Sequence, residues 1–164
     1  MTTHQPYLAL ICLNLLHMLY IASDHAGYQL KKEVVKYLKT QLKLVVEDLG
    51  PTAFVETDDF PDFAFPLAKA VAKNKDNFGI LICGTGQGMC IAANKIKGAY
   101  AILGYNLHTT ELGRKHNNAN ILCLPERLAT QDFTNAIVKK FLETKFDGDA
   151  RFMRRNEKIK EIEK

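Results

Sequence analysis

A six-residue run, 78–83 (FGILIC), constrains the fold of this chain more than any other segment. The run contains no charged or amide side chain and has turn-forming residues on both sides, a pattern typical of a strand covered on both faces. Strands of this kind belong to parallel sheets, whose members are connected by helices that pack on the sheet. The sequence therefore predicts an α/β domain built around this strand.

Strand-like and helix-like segments alternate along the rest of the chain, with short connections between them. The predicted strands cover residues 19–23, 45–49, 78–83, 99–104 and 121–124. The first predicted helix has Leu30, Val34, Leu38 and Leu42 on one face, and the second begins near Pro61. The other predicted helices cover residues 89–95, 107–116, 133–142 and 151 to the end. The alternation predicts a three-layer αβα fold with a five-stranded, parallel, doubly wound sheet of flavodoxin or Rossmann type and an extra C-terminal helix. The common strand order in such a sheet is 2-1-3-4-5, and ligands bind where strands 1 and 3 diverge.

The N-terminal region is unusually apolar, with YLALICLNLLHMLYIA over residues 7–22. It does not read as a secretion signal, because residues 1–6 carry no Lys or Arg and no cleavage-like boundary follows. Asn14 and His17 also keep it short of a membrane span. We expect residues 1–17 to be an extension, genuine or an artefact of gene assignment, ahead of a single cytoplasmic domain over residues 18–164.

Charge and cysteine usage exclude several classes of protein. The net charge of the 164 residues is only +4, which does not indicate binding to nucleic acid or to a membrane surface. The four cysteines, Cys12, Cys83, Cys90 and Cys123, show no C-x-x-C spacing, so a disulfide framework and a zinc site are not expected. Scattered thiols of this kind suit a reducing compartment.

The glycine-rich segment Cys83-Gly84-Thr85-Gly86-Gln87-Gly88 follows the central strand and precedes a helix. Glycines allow a tight turn and bring backbone N–H groups close to a ligand oxygen, so the segment predicts an anion or oxyanion cradle. It is not a dinucleotide fingerprint, because Met89 stands where G-x-G-x-x-G requires glycine, and it lacks the G-K-[ST] ending of a P-loop.

Two polar clusters should meet at the carboxyl ends of strands 1 and 3. Cys83 ends strand 3, in a setting where a thiol can become a base or nucleophile, although a small buried residue would fit the same position. Asp24 and His25 follow strand 1 directly. Asp24 suits sugar hydroxyls or a helix cap, and His25 suits an anion or proton exchange near neutral pH.

A third cluster should lie elsewhere. His116 and Asn117 end a helix and precede strand 5, so they should lie at the edge opposite the cradle, either as a helix terminus or in the site of another subunit. Arg151 and Arg155 are four residues apart on a helix and could bind one phosphate together. The alternative is that this charged helix is simply exposed to solvent. Arg127 follows strand 5, and Arg154 lies off the shared face.

Four segments occur in order along the chain: IASDHAG (21–27), GILICGTGQGMCIAANK (79–95), RKHNNANIL (114–122) and RFMRRNEKI (151–159). Together they resemble the ribose-5-phosphate isomerases of the B type, whose wider family includes galactose-6-phosphate and allose-6-phosphate isomerases. The resemblance runs from about residue 18 to the C-terminus. It implies aldose–ketose isomerisation of ribose 5-phosphate and ribulose 5-phosphate through a cis-enediolate, without metal or cofactor.

The resemblance also implies roles for particular residues. Cys83 would be the base, Thr85 would assist proton transfer at the oxygens, and His116 would open the furanose ring. The substrate would be bound by Asp24, His25, Gly84, Gly86, Gln87, Gly88, Asn117, Arg127, Arg151 and Arg155. In the family, His116, Asn117 and Arg127 come from the partner subunit, which implies a homodimer, or a dimer of dimers, with shared sites.

Two positions depart from the family pattern. Phe60 stands where Tyr is frequent, and Phe152 stands where His is usual. Both departures leave the choice between five- and six-carbon phosphates open, so a hexose-6-phosphate isomerase remains an alternative. A non-catalytic sugar-phosphate or nucleotide-binding module is the alternative from another class of protein.

Overall fold

The computed structural model describes residues 17–163. The expected extension over residues 1–17 therefore lies outside the described residues except for His17, and Cys12 lies outside them as well. Among the residues that are described, no helix is both long and apolar enough to cross a membrane.

Five strands and six α-helices alternate along this part of the chain. The strands are β1 (Leu19–Ser23), β2 (Glu47–Asp48), β3 (Phe78–Cys83), β4 (Ala101–Leu103) and β5 (Ile121–Pro125). The helices are α1 (Tyr28–Thr40), α2 (Pro61–Ala72), α3 (Gln87–Ala93), α4 (Leu107–Asn117), α5 (Gln131–Glu143) and α6 (Ala150–Ile162), with a short 3₁₀ turn at Glu126–Leu128. The predicted element order is confirmed, with shorter β2 and β4 than expected.

The strands form one parallel sheet in the order β2-β1-β3-β5-β4. The five-stranded parallel αβα fold is thus confirmed, but the predicted order 2-1-3-4-5 is wrong for the last two strands. Every residue of β5 is buried, and β5 pairs with β3 over five positions. The three residues of β4 are only partly buried and form the edge. The more apolar strand takes the central position because central strands are covered on both faces.

Alternate residues of β3 point to opposite faces of the sheet and enter two separate cores. Ile80 and Ile82 pack with side chains of α1 and α5, whereas Leu81 and Cys83 pack with side chains of α2 and α3. This division produces the expected three layers. It also places the sulfur of Cys83 on the α2 and α3 side of the sheet.

A buried lysine fixes the start of the loop between β2 and α2. Lys31 of α1 is 1% exposed, and its Nζ donates to Asp48 Oδ1 and to the carbonyl oxygen of Pro51, each at 2.7 Å. Asp48 Oδ1 also accepts from the N–H of Gly50 at 2.9 Å. A buried ammonium group requires such partners, so the pairing ties α1 to the loop that leads towards the candidate site.

Candidate active site

The three central strands end at the same level, which brings their following loops together. Ser23 of β1 pairs with Ile82, and Cys83 of β3 pairs with Pro125 of β5. The loops that follow carry Asp24 and His25, the glycine-rich segment, and Arg127. We name this group of residues the carboxyl-edge cluster.

The glycine-rich segment folds closely around the thiol of Cys83. Cys83 is 5% exposed, and its Sγ accepts a hydrogen bond from the N–H of Gly86 at 3.1 Å. Gly86 has a left-handed backbone (φ 75°) and lies against the side chain of Leu103, so both its conformation and its surroundings require glycine. The turn therefore holds the sulfur against the start of α3.

The same turn presents polar groups to solvent. Thr85 is exposed, and its Oγ1 lies 3.5 Å from the backbone nitrogen of Gln87. In the part of the chain that the structure describes, the backbone N–H groups of Thr85 and Gly88 have no acceptor. They are donors beside the sulfur for an oxygen of a ligand.

Asp24 is buried at the end of β1 and is fixed by its own loop. Its Oδ1 accepts from the N–H of Gly27 at 2.9 Å, and its backbone N–H donates to the carbonyl oxygen of Ile82 at 3.2 Å. Burial raises the pKa of its carboxyl group. Asp24 thus shapes the loop, but the helix-cap interpretation is wrong, because the N-cap of α1 is Gly27 and no side chain caps the helix.

Asp58 is a residue that the sequence interpretation missed. Its Oδ1 accepts from the backbone N–H of His25 at 2.9 Å and lies 2.7 Å from the ring Nδ1 of His25. The hydrogen bond to this carboxylate raises the pKa of His25. Because Nδ1 is occupied, Nε2 is the ring nitrogen left to face a ligand, and the carboxylate favours the cationic form of the imidazole.

Arg127 lies against the glycine-rich segment of its own chain. Its backbone N–H donates to the carbonyl oxygen of Gly84 at 3.0 Å, and a Cβ added to Gly84 would lie 3.1 Å from Arg127 Nε. Within residues 17–163, no carboxylate lies within 4 Å of its guanidinium. The expectation that Arg127 reaches the site from a partner subunit is therefore wrong, because β5, not β4, adjoins β3.

An open pocket of about 530 Å³ lies beside these residues. His25 and Arg127 line it together with the aromatic rings of Tyr28 and Phe54. Two side chains that carry or can carry a positive charge thus face one cavity, which is suited to an anion such as a phosphate.

His116 and Asn117 lie at the opposite edge of the sheet. They form the last turn of α4, which leads through Asn118 into the amino end of β5. The left-handed C-cap is Asn118 (φ 49°), not Asn117 as the helix-terminus interpretation suggested, and Asn117 is exposed. The length of β5 therefore separates both residues from Cys83.

Helix α6 lies along the same amino edge. Phe152 stacks on the ring of His116, with ring centroids 4.0 Å apart and an interplanar angle of 19°. Asn156 Nδ2 donates to the carbonyl oxygen of His116 at 3.1 Å, and Glu163 Oε2 accepts from the N–H of Gly98 at 3.2 Å. These contacts hold α6 away from the carboxyl ends of the strands.

Arg151 and Arg155 consequently belong to this second group and do not meet His25 and Arg127 within one chain. Both are exposed on α6, and the guanidinium carbon of Arg151 lies 4.6 Å from the ring centroid of Phe152. We name His116, Asn117, Arg151, Phe152 and Arg155 the amino-edge cluster. The residues predicted to act together are thus divided between two edges of the sheet.

Phe60, the first departure from the family pattern, lies over the glycine-rich segment. A Cβ added to Gly88 would lie 3.0 Å from Phe60 Cζ, so the ring packs closely on this glycine. The ring offers no hydroxyl group, so an apolar surface faces the start of α3.

The fold and the carboxyl-edge cluster define a doubly wound α/β protein with a thiol, a ring of backbone donors and an anion pocket at the switch point of its sheet. A sequence profile described as "Ribose/Galactose Isomerase" matches residues 19–159. The chain belongs to this family of isomerases, which confirms both the resemblance and the class of enzyme.

Individual relatives agree with this assignment. The chain is 50% identical over 147 residues to a Mycoplasma genitalium protein named "Probable ribose-5-phosphate isomerase B", covering 89% of this chain and 95% of that protein. A crystal structure of ribose-5-phosphate isomerase B from M. genitalium with bound ribulose-5-phosphate superposes with a TM-score of 0.87 at 48% identity, covering 92% and 98% of the two chains. The Clostridium thermocellum ribose-5-phosphate isomerase B gives a TM-score of 0.84 at 42% identity, covering 89% and 97%.

Proposed function

We propose that this protein interconverts ribose 5-phosphate and ribulose 5-phosphate through a cis-enediolate. The observation that carries the proposal is the carboxyl-edge cluster, in which the thiol of Cys83, a row of backbone donors and the cationic pair His25 and Arg127 share one edge of the sheet. The crystal structure of the M. genitalium relative with bound ribulose-5-phosphate supports the choice of substrate.

In this mechanism Cys83 is the base. Its thiolate takes the proton from C2 of the open-chain aldose, and the electron pair forms the double bond of the enediolate. The resulting thiol returns a proton to C1, which yields the ketose. The N–H of Gly86, which donates to Sγ, faces the sulfur while it carries negative charge.

The Thr85 hydroxyl and the free N–H groups of Thr85 and Gly88 act on the substrate oxygens, and Gly84, Gly86 and Gln87 form the turn that places them. The enediolate carries negative charge on oxygen, and donors already in position stabilise it without reorganisation. Thr85 moves the proton between O1 and O2. The proposed mechanism requires neither a metal nor a redox cofactor, because fixed N–H groups stabilise the negative charge that develops on oxygen.

The remaining residues bind and orient the sugar phosphate. Asp24 accepts from sugar hydroxyls, and His25 and Arg127 bind the phosphate in the pocket that they line. Binding energy from the phosphate, which does not react, holds C1 and C2 at the sulfur.

A homodimer with shared sites accounts for the amino-edge cluster. Within one chain His116 cannot reach Cys83, because they lie at opposite edges of the sheet. In the proposed dimer, the partner subunit's His116 opens the furanose ring, the partner's Asn117 contacts the sugar, and the partner's Arg151 and the partner's Arg155 join His25 and Arg127 at the phosphate. Free thiols at Cys83, Cys90 and Cys123 fit the proposed cytoplasmic location.

The test is an isomerase assay with purified protein on ribose 5-phosphate, ribulose 5-phosphate and allose 6-phosphate. The proposal expects kcat/KM to be highest for the pentose phosphates and the activity to be lost in Cys83→Ala. A higher kcat/KM on allose 6-phosphate would show that the substrate is a hexose phosphate, with the same mechanism. Saturable binding of sugar phosphate without any exchange of the C2 proton with deuterated water would refute the enzyme proposal in favour of a binding module.

A further inference from the structure

The aromatic stack in the amino-edge cluster has no role in the mechanism so far. Phe152 is 6% exposed and is the buried residue of α6, a helix whose other described side chains are largely exposed. Its ring lies nearly parallel to the imidazole of His116, and the guanidinium of Arg151 also contacts this ring. One phenyl ring thus touches both the proposed ring-opening group and a proposed phosphate ligand.

The orientation of His116 depends on this stack. Within residues 17–163, neither ring nitrogen of His116 has a hydrogen-bond partner, and the polar contact from α6 goes to its backbone carbonyl. A histidine that acts on a substrate commonly has one ring nitrogen fixed by a hydrogen bond, as Asp58 fixes that of His25. For His116, the parallel contact with Phe152 is the side-chain contact that defines the plane of the ring.

We propose that Phe152 is a positioning residue, which holds the imidazole of His116 in the plane required for opening the substrate ring and holds Arg151 at a set distance from it. The inference rests on the proposed function. An aliphatic side chain would fill the same space and anchor α6, but it has no flat face to define the imidazole plane. The stack therefore affects ring opening and not the enolisation carried out by Cys83.

Ribulose 5-phosphate separates these two steps, because this ketose is acyclic and requires no ring opening before enolisation. Exchange of its C1 proton with deuterated water, followed by NMR, reports on Cys83 alone. Turnover of ribose 5-phosphate, which is mainly cyclic, reports on ring opening followed by enolisation. The variants are Phe152→Leu, the ring-retaining Phe152→Tyr, and Arg154→Leu as a control on the same helix.

In Phe152→Leu we expect kcat on ribose 5-phosphate to fall about 10-fold, while exchange at saturating ribulose 5-phosphate stays within about twofold of the wild type. Phe152→Tyr should recover most of the lost turnover, and Arg154→Leu should change neither rate. Phe152→Met carries the same expectation as the Leu variant and replaces it if that chain does not fold.

Equal losses in turnover and exchange would show that Phe152 only anchors the helix, which would overturn the inference. Unchanged turnover in Phe152→Leu would overturn it as well. A wild-type protein with neither turnover nor exchange would instead refute the proposed function, and with it the inference. The three failures are therefore distinguishable.

Discussion

The two edges of the sheet carry two clusters of polar residues that differ in how they are held. At the carboxyl edge, backbone amides, a thiol and a histidine fixed by Asp58 are held by loops that pack against β3. At the amino edge, His116, Arg151 and Arg155 lie on helix surfaces, and the first two contact the phenyl ring of Phe152. In the proposed mechanism, charge stabilisation is therefore assigned to the backbone, whereas ring opening and part of phosphate binding are assigned to side chains of a second chain.

Loss of Cys83 should have the largest effect. We expect Cys83→Ala to lower both turnover of ribose 5-phosphate and proton exchange in ribulose 5-phosphate by about 10³-fold or more, because the carbon-bound proton loses the thiolate that removes it. Cys90→Ala, which removes a thiol farther along α3, is the matched control and should retain activity. Residual exchange near the wild-type rate in Cys83→Ala would assign the base to another residue.

The division between edges makes a specific prediction for mixed dimers. His116→Asn alone should lower turnover of ribose 5-phosphate about 10²-fold. If Cys83→Ala and His116→Asn chains are refolded together in equal amounts, half the dimers should contain one chain of each kind. Each mixed dimer then has one site with both Cys83 and His116 intact. Activity should then recover to about a quarter of the wild type. If activity does not recover, the two clusters do not act across subunits.

The arginines of α6 test whether the amino-edge cluster contributes directly to phosphate binding. Arg151→Ala should raise KM for ribose 5-phosphate about 10-fold or more with a smaller change in kcat, because a guanidinium–phosphate contact is lost. Arg154→Ala removes the same charge from another side of the helix and should change KM by less than about twofold. Equal effects of the two substitutions would point to long-range attraction and not to a direct contact.

The smallest expected effect concerns Asp58 and depends on pH. In the wild type, Asp58 raises the pKa of His25, so the imidazolium persists to higher pH and is lost as pH rises through that pKa. In Asp58→Asn the loss should begin at lower pH, which raises KM a few-fold between neutral and mildly alkaline pH. KM is measured for both proteins at each pH, so that ionisation of the substrate phosphate cancels. The neighbouring Asp59→Asn, an exposed carboxylate, is the control, and the same profile in both variants would contradict a role for Asp58.

The sequence was most informative where local pattern and position coincide. The bounds of β1 and β3 were predicted to the residue, and the meeting of their following loops follows from any parallel sheet. The order of β4 and β5 was wrong because alternation of elements does not specify which strand is central. The longer apolar run of β5, five residues (ILCLP) against three in β4 (AIL), was the available signal, since a strand covered on both faces is a continuous apolar run.

The residues that were missed are those whose roles arise from tertiary contact alone. Asp58 is 33 residues from His25 in the chain, and nothing in a loop rich in acidic residues identifies which carboxylate reaches the imidazole. Arg127 was identified, but the family resemblance assigned it to the partner subunit, whereas the structure places it against Gly84 of its own chain. Phe152 was identified only as a departure from a family pattern, and its contact with His116 needed the position of α6.

The separation of the two clusters has a consequence for assembly. A sugar phosphate that binds residues of two chains at once is a ligand of the dimer and not of the monomer, so mass action makes substrate favour association. Each bound molecule adds its binding free energy to that of the interface. At concentrations where the free chains would separate, the dissociation constant of the dimer should therefore decrease as substrate increases, and the enzyme's specific activity on dilution should depend on how much of its own substrate is present.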